Sequence, residues 1–174
     1  MELLARITAR PSALMVGTLE PRKGHALALS AFEELWSRGT DIHLVIVGKQ
    51  GWMTQDLCDR LRNHAEQGKR LFWMERASDA MLEALYAQCS ALLAASEGEG
   101  FGLPLIEAAQ KGLPLIVRDI AVFREVAGDG ARYFTPETLV AVLQQLSARA
   151  SATTTIGQTW RQSADQLIRG LSTP

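Results

Sequence analysis

Residues 42–48 read Ile42-His43-Leu44-Val45-Ile46-Val47-Gly48, six almost continuously apolar, β-branched positions closed by a glycine. A strand that is apolar on both faces is what a parallel sheet covered by helices requires. Working outward, Ala13–Val16 (ALMV, ended by Gly17), Leu71–Met74 (LFWM), Ala91–Ala94 (ALLA) and Pro114–Val117 (PLIV) repeat that character, and Arg132-Tyr133-Phe134 offers a sixth run. Helical patterns fill the gaps. Ala28, Leu29, Phe32, Leu35 and Trp36 recur at 3.6-residue spacing, with Glu33 and Glu34 facing away and Gly39 as the stop. Thr54 and Ser78 stand where N-caps belong, and Pro136–Leu146 reads as a later helix with Pro in its first turn. Strands alternating with helices across short connections predict right-handed βαβ crossovers and a doubly wound α/β sandwich.

Composition agrees. The chain has 174 residues, 47% hydrophobic and 21% charged, which suits one domain with a real core and excludes a disordered chain or a disulfide-stapled miniprotein. Its 18 basic and 19 acidic residues give a formal charge of −1, so no global field draws nucleic acid or an anionic membrane. Cys58 and Cys89 have no CxxC or zinc-ligand spacing and read as reduced, partly buried thiols. No apolar run approaches a membrane span, and Met1–Arg10 lacks the pattern of a signal peptide. The expected location is the cytoplasm. The expected layout is a leader over 1–11, the ligand-binding domain over 12–150, and a connector with a last amphipathic helix (Trp160, Ala164, Leu167, Ile168) over 151–174.

In a doubly wound sheet, ligands bind beyond the carboxyl ends of the strands. That rule selects the loops 17–25, 48–53, 75–79 and 95–103. The last, Ala95-Ser96-Glu97-Gly98-Glu99-Gly100-Phe101-Gly102-Leu103, sets glycines at alternate positions before a helix start, where backbone can approach a ligand and unpaired N–H groups can hold an anion. Glu99 and Glu107 lie eight apart and can face one crevice; beside a phosphate they suit hydroxyl donors such as those of a sugar or ribose. The other reading of this stretch is a glycine-rich turn with solvated glutamates. In Gly17-Thr18-Leu19-Glu20-Pro21-Arg22-Lys23-Gly24, Lys23 lies nearer the helix start than Arg22 and is the expected inward cation for a diphosphate; an exposed basic turn is the alternative. The chain lacks GxGxxG, a P-loop, a serine elbow, a DxD pair and metal-ligand spacing of His25, His43 and His64. His43 reads as a sheet residue and His25 as a helix-start residue.

Glu99–Glu107 (EGFGLPLIE) resembles the E-x7-E motif of retaining glycosyltransferases of the GT-B fold, family four, and Gly17–Gly24 (GTLEPRKG) is similar to that family's phosphate-binding loop. Gly48–Trp52 (GKQGW), Leu85-Tyr86, Arg124-Glu125-Val126 and Trp160–Ala164 also look like the family, in the right order over about residues 12–171. The resemblance implies a Rossmann-like sheet of about six strands forming the C-terminal, donor-binding half of a GT-B enzyme. It implies a nucleotide-sugar donor, with Glu99 beside the transferred hexose, Glu107 on the ribose hydroxyls, and Gly100, Phe101, Gly102 and Leu103 giving backbone amides to sugar and phosphate. Lys23, with Gly17, Thr18 and Arg22 in the same loop, would face the diphosphate, and the base would lie near Trp73–Glu75, against Met74 and Glu75. Many family members carry arginine where Thr18 stands; Arg22 is the residue placed to compensate.

The wording GTLEPRK looks most like mannosyltransferases of bacterial surface polysaccharides, which tilts the donor toward GDP-mannose over a UDP-sugar. No metal is implied if Lys23 and helix dipoles carry the leaving-group charge. The implied partners are an N-terminal GT-B half, a glycan or lipid-linked acceptor, and, through that other half, the inner face of the membrane. An epimerase or phosphorylase relative and a non-catalytic nucleotide-sugar module are the competing expectations.

Overall fold

The structure is a computed structural model that describes residues 2–100 and 102–151. Phe101 and the expected connector and last helix past Ser151 lie outside the described residues. Six parallel strands, β1 (Ser12–Val16), β2 (His43–Val47), β3 (Leu71–Met74), β4 (Ala91–Ala94), β5 (Leu115–Arg118) and β6 (Ala131–Phe134), form one sheet in the order β3-β2-β1-β4-β5-β6. The order reverses between β1 and β4, the switch point of a doubly wound sheet.

Each strand feeds two cores because its side chains alternate faces. Ala13, Met15, Leu44, Ile46 and Leu93 join Phe32, Leu35 and Trp36 of α2 (His25–Ser37), Cys58 and Leu61 of α3 (Gln55–Arg62), and Leu139 and Leu143 of α7 (Leu139–Ser151). Leu14, Val45, Phe72, Leu92 and Val117 join Tyr86 of α4 (Asp79–Gln88), Leu105 and Ala109 of α5 (Leu103–Gln110), and Phe123 of α6 (Ala121–Ala127). Both cysteines are buried and free, and burial pushes the Cys89 thiol up to about 11. No described helix is long and apolar enough to cross a membrane.

Two boundaries differ from the sequence expectation. Within the stretch 1–11, expected as a leader, Glu2–Thr8 forms α1; it buries Ile7 in the second core, and the Ile7 carbonyl meets His43 Nδ1 at 2.8 Å. A seven-residue helix shows too few turns for periodicity to reveal it. The helix expected from Pro136 begins at Leu139, because the Thr138 hydroxyl accepts from the Thr135 amide at 2.8 Å and closes a turn around the proline. His43 is a buried sheet residue, with burial the main influence lowering its imidazole below the ordinary value.

The carboxyl ends of β1 and β2 are held together by backbone contact. Gly17 N donates to Val47 O at 2.9 Å and Leu19 N to Lys49 O at 2.9 Å, while Gly48 lies so close to Gly17 that a Cβ there would sit 1.8 Å from the Gly17 oxygen. No rotamer relieves a clash with backbone. Gly48→Ala is therefore expected to destabilise the domain by about 3 kcal/mol, whereas Gly98→Ala, whose Cβ meets nothing within 4 Å, should change stability by less than about 0.5 kcal/mol. Urea unfolding of the two variants checks this; equal midpoints would contradict it.

Candidate functional site

The ladder between β1 and β4 covers only Ala13–Ala91 and Leu14–Leu92. Beyond those pairs the strands part, and a crevice opens between them, walled by Met15, Val16, Leu93, Ala94, Lys23, His25, Ser96, Glu99 and Gly102. Two loops form its rim. The first leaves β1, makes a short helical turn at Pro21–Lys23, and enters α2 at Gly24, whose φ is +74°. The second leaves β4 and enters α5 at Gly102. They are joined directly: Glu97 N donates to Arg22 O at 2.8 Å, and a Cβ on Gly24 would stand 2.2 Å from the Ala95 oxygen. Only glycine permits that approach.

This junction sets the charges face to face. Lys23 Nζ donates to Glu99 Oε1 at 2.5 Å, and the Ser96 hydroxyl donates to the same oxygen at 2.7 Å. Lys23 turns into the crevice with its side chain 19% exposed, opposite a Glu99 side chain 15% exposed. Arg22 is more exposed, at 47%, but its Nη1 reaches Gly98 O at 2.9 Å and Glu99 Oε2 at 3.7 Å, and its Nε meets Glu20 at 3.0 Å. Burial pushes the Glu99 carboxyl up, yet the hydrogen bonds from Lys23 and Ser96 and the charges of Lys23 and Arg22 together hold it below the ordinary carboxylate value. Both α2 and α5 start at glycine caps with no side-chain cap on their first turns. Their positive ends add to the field on this rim.

Other candidates stand apart. Glu107 lies exposed on α5 and is not part of the crevice wall; its Oε2 accepts from the Tyr86 hydroxyl at 2.6 Å. Burial first, and that bond second, push the Tyr86 phenol well up. Met74 ends β3, on the far side of β2, and Glu75 follows it, exposed and bonded to Arg62 at 2.8 Å. The Arg62 guanidinium lies 5.0 Å from the centre of the Trp73 ring, whose Nε1 donates to Gly48 O at 2.8 Å. Gly17 and Thr18 open the first loop, and Leu103 is exposed at the head of α5.

Three residues of the site carried no role in the sequence reading. Ser96 is buried against Glu99, Tyr86 holds Glu107, and Arg118, at the end of β5, reaches Ala95 O at 3.5 Å and Glu97 Oε1 at 3.3 Å. The rule that selects carboxyl ends of strands applies equally to Arg118. His25, read as a helix-start residue, lines the crevice and is buried, with its Nδ1 lacking a partner.

A Rossmann-like sheet with paired cation and carboxylate at its switch point defines the class of fold and site. The description "Glycosyl transferases group 1" matches residues 4–155, and the chain belongs to that family. It is 51% identical over 178 residues to a serotype-specific mannosyltransferase, WbdA, of Escherichia coli, covering 97% of this chain and 22% of that protein. It is 33% identical over 134 residues to the O-antigen chain mannosyltransferase B of Escherichia coli, covering 75% of this chain and 34% of that one. The chain thus spans a fifth to a third of the length of these relatives. Among solved structures, the C-terminal domain of a group 1 glycosyl transferase (LpcC) from Francisella tularensis superposes with a TM-score of 0.73 at 18% identity, over 94% of this chain and 90% of that one. WaaG, a glycosyltransferase involved in lipopolysaccharide biosynthesis, gives 0.72 at 21% identity, over 94% and 46%. These two likenesses show the fold.

Burial first, and the charge of Lys23 second, push the His25 imidazole down from 6.5 to about 4. Between those values the unfolded chain binds a proton that the folded chain refuses, so stability falls as the pH drops through that window, by about 3 kcal/mol from this residue. Urea unfolding across pH 4–7 should show that slope, with a clear flattening in His25→Gln. An identical slope in the variant would contradict the assignment.

Proposed function

We propose that this chain is the donor-binding domain of a retaining hexosyltransferase that moves mannose from GDP-mannose to a glycan or lipid-linked acceptor in bacterial surface polysaccharide synthesis. The observation that carries the reading is the meeting of Lys23 and Glu99 in one crevice at the β1/β4 switch point, with Arg22 on its outer rim 3.7 Å from Glu99. A diphosphate lies against Lys23 and the open end of α5, where cation and dipole stabilise the charge that builds on the leaving group; no metal is required for that task. Glu99, ionised and half-buried, accepts hydrogen bonds from the hexose hydroxyls and steadies positive charge at the reacting carbon. A side chain at Gly98 or Gly100 would meet nothing of the protein within 4 Å, so their smallness serves the approach of something else.

Glu107, steadied by Tyr86, presents a carboxylate oxygen to the ribose hydroxyls. The base extends past β2 toward Met74 and Glu75. Guanine offers two adjacent N–H donors on one edge and uracil a single N–H between two carbonyls, so a carboxylate at Glu75 favours guanine. The mannosyltransferase relatives support the same donor. A UDP-sugar is the competing donor. The remaining length of the relatives provides the other wall of the cleft and the acceptor site, and the 174 residues alone bind nucleotide weakly and transfer little sugar.

In the full-length enzyme carrying this domain, Glu99→Ala should lower kcat by about 100-fold or more, while Glu107→Ala chiefly raises the donor KM, by about tenfold. Unchanged kinetics in both variants would refute the roles. Calorimetric titration of the chain should show GDP bound at least tenfold more tightly than UDP; the reverse order would transfer the assignment to a UDP-sugar.

A further inference from the structure

The inward cation of the crevice already has an anionic partner. Lys23 is held by Glu99 at 2.5 Å, and Glu99 is anchored in that position by Ser96 at 2.7 Å. The second cation, Arg22, is matched by Glu20 at 3.0 Å and lies 3.7 Å from the other Glu99 oxygen. His25, beside them, is held neutral by burial and by Lys23 itself. Lys23 and Arg22 are thus matched by Glu99 and Glu20, and Arg118 by Glu97, so the diphosphate subsite is electrically balanced. A carboxylate and a phosphate make the same demand on an ammonium group: a short, charge-assisted N–H···O bond.

We propose that Glu99 competes with the diphosphate for Lys23, so that the residue that engages the sugar also drives out the spent nucleotide. The inference rests on the nucleotide-sugar reading of the site. With an intact donor, the hexose hydroxyls give Glu99 other hydrogen bonds, and Lys23 is released to the diphosphate. Once the hexose has left, Glu99 has no sugar to hold and returns to Lys23, against the bound nucleoside diphosphate. The apparent affinity for a ligand falls by the fraction of molecules in which its binding group is free, and Glu99 sets that fraction. The penalty falls on the product rather than on the donor, which favours release after transfer.

The test is calorimetry on the 174-residue chain with GDP and with inorganic pyrophosphate, comparing the unaltered chain with Glu99→Gln, Lys23→Gln and the double variant. Circular dichroism reports whether each is folded. Glu99→Gln keeps the size of the side chain and removes its charge. It should bind GDP about tenfold more tightly than the unaltered chain, and the gain should vanish in the Lys23→Gln background. Ser96→Ala, which removes one anchor of the carboxylate, should give a smaller gain of the same sign and stands in if Glu99→Gln fails to fold. GDP bound equally or less tightly by Glu99→Gln, or a gain that survives without Lys23, would overturn the competition and leave the nucleotide site standing. An unaltered chain and a folded Glu99→Gln that bind neither GDP nor pyrophosphate would overturn both.

Discussion

The carbonyl oxygen of Ala95 lies where a side chain at position 24 would have to be, only 2.2 Å from an ideal Cβ. That contact brings the β1–α2 loop and the β4–α5 loop together across the point where their strands part. It is reinforced by the Glu97–Arg22 backbone bond and by Arg118, which reaches the same carbonyl from β5. Lys23 and Glu99 then meet because each follows a backbone that cannot retreat. A rigid junction of this kind is what a binding site requires, since positioning lost by about an ångström costs most of the benefit of a charged contact.

The same junction explains the electrostatics. A net charge of −1 over the chain conceals a local arrangement in which cations, carboxylates and two uncapped helix starts share one rim. The carboxylate of Glu99 stays ionised in spite of burial because Lys23 and Ser96 bond to it. His25, buried beside Lys23 with no acid bonded to it, stays neutral. One crevice holds an ionised acid and an uncharged base, and local partners decide which is which.

Much of this was legible in the residues. Runs such as IHLVIV and ALLA are apolar on both faces, and that alone asks for helices above and below a parallel sheet; the six strands stand where those runs lie. The place of Lys23 beside a helix start read correctly as the inward one. What the sequence did not disclose depends on distant partners. Glu107 shares a motif with Glu99, yet the turn of α5 takes it to Tyr86 on α4, twenty-one residues away in the chain. The pairing of Lys23 with Glu99 joins residues seventy-six apart, and spacing within either loop says nothing of it. The helix α1 escaped notice because it is short and its anchors are distant: Ile7 and Leu4 pack on the second core, the Ile7 carbonyl meets His43, and Arg6 donates to the Gly68 carbonyl. Pro136 marked a helix start by propensity, but a threonine hydroxyl closed a turn there first.

The central claim is that the crevice between β1 and β4 holds the diphosphate of a nucleotide sugar. Backbone amide shifts of the isotope-labelled chain, followed during titration with GDP-mannose, test it most directly. The account predicts the largest changes at Lys23, Gly24, His25, Ser96, Glu99 and Gly102, with lesser ones at Glu75. Shifts confined to the opposite edge of the sheet, or spread evenly without a maximum at those two loops, would contradict it.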